Sequence, residues 1–326
     1  TVAAGSDKGS IHVNADVRYD ANQLTLNAHH DININATMDV GGTGRLALNH
    51  GNTLGNAATA PAADSQLSIN GRVNFAQAGA GLLSINGHGY TVINDVAALQ
   101  DMGSNLGGKY ALGADIDASA TAGWNLNVGI YNGFVPIGSG SDNTDATRFT
   151  GSFDGLGHRI RELTVNVTQP QYLGIYGRSS YAGLFGTTGS AARIAHVGLD
   201  NASIKASGGS TNSAGTLVGR NSGAIVQSYA TGNTTAEGQS DSINAAGALV
   251  GTNIDSGSIS QSYATGSATA EGGGKLQPKL RRRAGGGEHP QQHQPKLCHG
   301  QRHRRGGGEG HRIHPGGRGS GQQQQQ

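Results

Sequence analysis

Asp115 and Asp117 stand at alternate positions, so a strand through them would present both carboxylates on one face. With Asp154 they could work as a carboxylate set that cleaves a polysaccharide, or they could bind calcium through oxygen. Nothing in the linear sequence supplies the basic partners such a site needs, and aspartate is also a habitual turn residue in glycine-rich loops, so turn-capping or solvent-facing roles are the plainer reading. His29 and His30 adjoin Asp31. Neighbours on a strand point to opposite faces, which argues against a two-histidine site and for a surface turn. The glycine-rich segments lack the lysine of G-x-x-x-x-G-K-[ST], which removes nucleotide binding. Sequons at Asn35, Asn166, Asn201 and Asn233 are what a chain rich in Asn and Thr produces by chance. No catalytic residue, cofactor or metal site is assigned.

The elements that would carry these residues are built from unusual material. The chain has 326 residues with 56 Gly, 5% aromatic and 13% charged residues, too little for a conventional compact core. No run approaches the ~18 apolar residues of a membrane-spanning helix, so no transmembrane segment is expected. The start, Thr1-Val2-Ala3-Ala4-Gly5, has no signal-peptide character and no Met, and reads as the start of a fragment. One cysteine, Cys298, excludes an intramolecular disulfide and a thiolate-based zinc site.

Repetition organises the rest. An apolar-x-apolar-Asn word recurs at Leu24–Asn27, Leu46–Asn49, Leu67–Asn70 and Leu83–Asn86, in steps of 22, 21 and 16 residues. Ile11/Val13, Ile32/Ile34 and Val73/Phe75 give further one-sided strands. Strands this short must stack to bury anything, which is the logic of a β-solenoid, and Asn after the apolar pair suits a turn. Around Asn94–Gly103 an Asn cap, an acidic first turn and a terminal Gly predict one short helical excursion. A second, stronger repeat runs AGTLVGRNSGAIVQSYATGNTTAEG from Ala214 and AGALVGTNIDSGSISQSYATGSATAEG from Ala246, with a partial copy, AGLFG, ending at Gly186. In it Gly186, Gly219 and Gly251 are expected to permit close approach, Leu217, Val218, Ile225, Leu249, Val250 and Ile259 to face inward, and Tyr229 and Tyr263 to bury large rings.

The pattern G-x-L-V-G-x-N…S-Y-A-T-G-x-x-T-A resembles the GLUG-type repeat of large bacterial exoproteins. LTLNAHHDININA and FTGSFDGLGHRIRELTV resemble words of filamentous-haemagglutinin-like adhesins, and the likeness covers most of residues 10–272. It implies a right-handed parallel β-helix, all-β apart from the helical excursion. It also implies secretion to a Gram-negative cell surface through an outer-membrane partner of a longer parent, and adhesion to an unidentified glycan or protein receptor on host cells, other bacteria or biofilm matrix. Four segments are expected: haemagglutinin-like turns over 1–90, an irregular part with the helix over 91–165, GLUG-type repeats over 166–272, and a tail over 273–326. A polysaccharide lyase or hydrolase on the same fold, or the shaft of a larger toxin or haem-capture protein, are the alternatives.

The tail is a different text. It holds 11 Lys+Arg against 2 Asp+Glu, whereas residues 1–272 hold 12 against 19. Its arginines would suit nucleic acid, and Cys298, His299 and His303 a metal. A simpler origin exists: QPKLCHGQRHRR, Gln294–Arg305, has codon choices that read one base over as SQSYATGSATA, the sequence of Ser260–Ala270, at a spacing of 34 residues. The tail is thus expected to be a further repeat in the wrong frame, disordered, with no nucleic-acid partner.

Overall fold

The structure, a computed structural model, describes residues 9–51, 64–138, 145–168, 171–172, 178–239 and 241–272. The tail, with its cysteine and histidines, lies outside the described residues. The fold is all-β with one short helix.

The short apolar runs near the N-terminus become strands that pair in parallel. Ile11–Val13, Ile32–Ile34 and Leu67–Ile69 form one sheet, and Val17–Tyr19, Thr37–Val40 and Arg72–Phe75 a second. Gln23–Asn27, Arg45–Asn49 and Gly79–Ile85 open a third, with Leu24 opposite Leu46 and Leu46 opposite Leu83. Ile32, Ile34, Met38, Leu48 and Val73 are fully buried between the sheets. The four copies of the apolar word therefore do not stack as one column: Leu67–Ile69 pairs with Ile32–Ile34 instead. The Asn that ends the word serves two purposes. Asn86 sits at φ 49, a left-handed turn, while Asn49 donates its amide to Asn27 at 2.7 Å. Asn14, Asn35 and Asn70 form a similar amide column, so side chains repeat the hydrogen bonding of the backbone.

The third sheet turns back once, where Gly79–Ile85 meets His88–Ile93 as an antiparallel pair, and then continues in parallel. Lys109–Leu112, Ser152–Asp154, Arg193–Ala195, Ala224–Val226 and Ser258–Ser260 follow, with Phe153, Ile194, Ile225 and Ile259 in one register column. Beside it run Ile116–Asp117, Arg159–Arg161, Gly198–Ser207, Tyr229–Glu237 and Tyr263–Ala264. Two further sheets are one joining Phe185–Thr187, Val218–Asn221 and Val250–Asn253 in parallel, and one in which Arg178–Ala182, Thr211–Gly215 and Ile243–Gly247 run parallel with Gln171–Tyr172 antiparallel at the edge. The helix is Val96–Asp101, and its cap is Asp95, whose carboxylate accepts from Ala98 N, with no acid in the first turn. Asn94, the cap expected from sequence, instead donates to Phe75 O.

Buried apolar side chains form two clusters, one over residues 28–92 with Ala111 and Leu156, the other over residues 93–236. Leu217, Val218 and Ile225 lie inside the second. Leu249 and Val250 are partly buried against it. Ile259 is 42% exposed, against the expectation that it faces an interior, because among the described strands Ser258–Ser260 ends its sheet. Gly186, Gly219 and Gly251 stack: a Cβ on Gly219 would lie 2.8 Å from Gly186 O, and one on Gly251 would lie 2.6 Å from Gly219 O. Small residues are required there because neighbouring backbones touch.

Candidate functional site

The alternation Arg159-Ile160-Arg161 makes the site. On a strand, Ile160 points inward and is fully buried, so the two flanking guanidinium groups must face outward together. Parallel pairing then brings them beside Asp115 on one neighbouring strand end and Asp200 on the other. Arg161 donates to Asp115 Oδ2 at 2.9 Å, and Arg159 Nε donates to the same oxygen at 3.1 Å. Arg159 also reaches Asp200 at 3.4 Å, and its backbone N–H donates to Asp115 Oδ1. His158 Nδ1 lies 3.2 Å from Asp115 Oδ1. Burial opposes charge on Asp115, but the bonds from Arg161, His158 and Arg159 outweigh it and hold its pKa at about 2.

The basic partners that the linear sequence did not reveal are thus present, 43 to 46 residues downstream of Asp115. Asp117 does not join them as a free carboxylate: it accepts from Ser119 N at the start of a short 3-10 turn. Asp154 is elsewhere, buried in the third sheet and paired with His196 Nδ1 at 3.0 Å. The three aspartates do not form one cluster.

The same outer face continues through Tyr229 and Tyr263. Tyr229 pairs in register with Gly198, and a side chain at Gly198 would collide with the tyrosine ring, so the glycine leaves room for it. Burial and the neighbouring Asp200 carboxylate raise the Tyr229 pKa. Tyr263 stacks on Tyr229 with ring centres 5.4 Å apart. Neither ring enters the core, contrary to the sequence expectation. Alternation places Ala230 and Ala264 inward and the tyrosines outward, leaving Tyr263 53% exposed. The insertion Ile254-Asp255 is absorbed in a turn closed by Gly257 N to Ile254 O, with Asp255 at φ 50.

Two histidines join the N-terminal sheets to the later ones. His158 Nε2 lies 2.9 Å from Val73 O, and His196 Nε2 lies 3.0 Å from Leu67 O. Each ring is held by an aspartate on its other nitrogen. Burial depresses the His158 pKa. Burial also opposes charge on His196, but Asp154 outweighs it and the pKa rises. Neither histidine carried a sequence signal beyond its place in the FDGLGHRIR and ARIAHVG words. His30 Nδ1 lies 2.8 Å from Asp31 and its Nε2 lies 3.1 Å from Asp64, and the two carboxylates raise its pKa. Among the described residues no three His, Cys, Asp or Glu side chains converge as a metal site, and no helix is long and apolar enough to cross a membrane.

These features define an all-β repeat protein with an ionic and aromatic outer face. A 110-residue stretch, 34% of the chain, is 36% identical to halomucin of Haloquadratum walsbyi, of which it spans 1%. No family model and no solved structure matches the chain.

Proposed function

We propose that the chain is part of a secreted bacterial adhesin of the filamentous-haemagglutinin-like kind, a parallel β-helix whose outer face binds a surface glycan or protein receptor. The observation that carries this reading is the continuous face from Asp115 through Arg159, Arg161 and Asp200 to Tyr229 and Tyr263, repeated step by step on in-register parallel strands. Fixed hydrogen-bonding groups beside a flat exposed ring suit a polar, ring-faced ligand such as a saccharide. The 32- to 34-residue register of the last steps, from Val218 to Val250 and from Tyr229 to Tyr263, supports the helical winding. Export from a Gram-negative cell through an outer-membrane partner belongs to the same proposal.

One observation favours the enzyme reading: carboxylates and arginines do meet on adjacent strands. The chemistry weighs against it. Asp115 is held ionised to about pH 2 by its partners, so it is a poor proton acceptor near neutrality and has no proton to donate. Both readings are separated by one experiment. Beads coated with the full chain should adhere to cells or a glycan array, and Tyr263→Ala with Arg161→Ala should reduce retention severalfold. Absence of adhesion together with release of reducing or unsaturated ends, abolished by Asp115→Asn, would overturn the adhesin reading.

A further inference from the structure

A hairpin on the unit's surface breaks the usual rule for apolar side chains. Leu126–Asn127 and Ile130–Tyr131 pair antiparallel across a two-residue turn, Val128-Gly129. Val128 is 91% exposed, Leu126 61%, and Ile130 and Tyr131 49% each. Val128 also sits at φ 47, followed by Gly129 at φ 79. This turn type ordinarily takes Asn-Gly, and a β-branched residue there is strained. Strain and exposure together at one position point to a group kept for what it touches.

The base of the hairpin is fixed. Asn125 Nδ2 donates to Gly133 O at 2.7 Å, and Gly133 N donates to Trp124 O. Phe134 and Ile137 are buried in the core, and Gln100 holds both backbone groups of Val135. The tip is therefore an apolar projection on a pinned stem.

The surroundings select the occupant. The 20 residues from Ala118 to Ile137 contain no Asp, Glu, Lys, Arg or His. The stem's side-chain and backbone partners Gln100, Thr164 and Asn166 are also uncharged; charge enters only at the base, where Ala118 N donates to Arg161 O and Lys205 is the register partner of Asn166. A protein interface of ordinary composition would set Arg among its aromatic residues and surround them with a polar rim. An aliphatic tip backed by the half-exposed ring of Tyr131, with Trp124 partly buried against the core at the stem, has instead the order of groups that suits a lipid interface, with aliphatic carbon deepest and an amphipathic ring at headgroup level. We infer that the hairpin 126–131 inserts its Val128 tip into the outer layer of a lipid bilayer, held there by apolar burial and not by charge. This site is distinct from the ionic face, and its success or failure leaves the adhesin reading untouched.

The chain has a single tryptophan, Trp124, at the stem, which makes the test direct. Full-length protein is floated with phosphatidylcholine vesicles in about 0.5 M NaCl, where surface charge effects are screened. Binding with a blue shift of Trp124 emission and quenching by brominated lipid is expected. Val128→Asn should weaken binding roughly tenfold. It should melt at or above the wild-type temperature, because Asn tolerates the turn. Leu126→Ser should weaken binding as well. Absence of flotation, equal flotation of Val128→Asn, or flotation only with anionic lipid and only at low salt would each overturn the proposal. So would a self-association that Val128→Asn abolishes without any vesicle binding, which would make a second copy the occupant.

Discussion

The ring of Tyr263 lies parallel to that of Tyr229, 5.4 Å away and inclined by 9°, on the outside of two consecutive strands. Registration of the backbone ladder alone sets this contact, since Tyr229 and Tyr263 are direct partners in a parallel pair. A double-mutant cycle with Tyr229→Ala and Tyr263→Ala should give a coupling of about 0.5–1.5 kcal/mol in denaturant unfolding, the worth of an aromatic pair beyond its buried area. Coupling near zero would mean that the rings are aligned without attracting each other.

Gly219 tests close backbone approach. A Cβ there would stand 2.8 Å from Gly186 O and 2.9 Å from Ala182 N, both main-chain atoms that cannot step aside. Gly219→Ala should cost about 2 kcal/mol, within the usual range for overpacking. Gly89→Ala, where the added carbon would meet nothing within 4 Å, should stay within about 0.5 kcal/mol. Equal urea midpoints for the two variants would refute the stacked-glycine account.

The difference between these positions shows how far the sequence could be read. The glycine spacing and the apolar pairs of the N-terminal part are local and periodic, so their pairing partners are legible. The copy at Leu67 is not, because nothing in its four residues says which sheet it joins: Leu46 pairs with Leu83, and Leu67 pairs with Ile32. The partners of Asp115 and Asp154 were missed for a related reason. His158 and His196 lie 43 and 42 residues away from them, without periodicity. The outward arginines were visible as Arg-Ile-Arg, but only the parallel pairing of Arg161 with Asp117 and Asp200 brings acid and base together. The tyrosines lie outside because alternation, not size, sets their side: Ala230 takes the inward position.

The buried histidines predict a stability maximum in pH. His50, half-buried just after the strand Arg45–Asn49 and bonded to Ser65 and Asn86, has its pKa depressed to about 4 by burial, helped by Arg193, below its unfolded value of ~6.5. Between those values the unfolded chain binds more protons, so stability falls as pH drops, by about 2 kcal/mol for His50 once the roughly 3 kcal/mol of the full shift is discounted for its partial exposure. His158, also depressed, acts in the same direction. His196 is raised, so the folded chain binds the extra proton and stability is lost as pH climbs above ~6.5 through the folded value. Melting temperature against pH should peak near 6 to 7. His50→Gln should flatten the acid limb and His196→Asn the alkaline limb; a limb unchanged by its substitution would remove that histidine from the account.

The last described strands offer a test of the tail's origin. Ile243, Ile259 and Tyr263 are 48%, 42% and 53% exposed, although Thr211, Ile225 and Tyr229, their register partners one step earlier, are better covered. Among the described residues, each of these last strands has no neighbour on its outer side. If residues 273–326 encode a displaced repeat, a chain in which they are replaced by the frame-restored sequence, Leu-Val-Gly followed by SQSYATGSATA, would supply that neighbour. Its tyrosine would fall at position 297, 34 residues after Tyr263, in the spacing that separates Tyr263 from Tyr229. The added step should cover Ile259, continue the ring stack and raise stability by roughly 1–3 kcal/mol, the worth of burying one or two such side chains. Exposed sheet ends pair with other chains, so self-association should also fall. Thermal melting and sedimentation velocity of the two chains decide the matter. A restored chain that melts no higher and associates no less, or an encoding DNA without a shift of frame between the codons of Ala270 and Ala284, would make the native tail a selected sequence and return its arginines and histidines to consideration as functional groups.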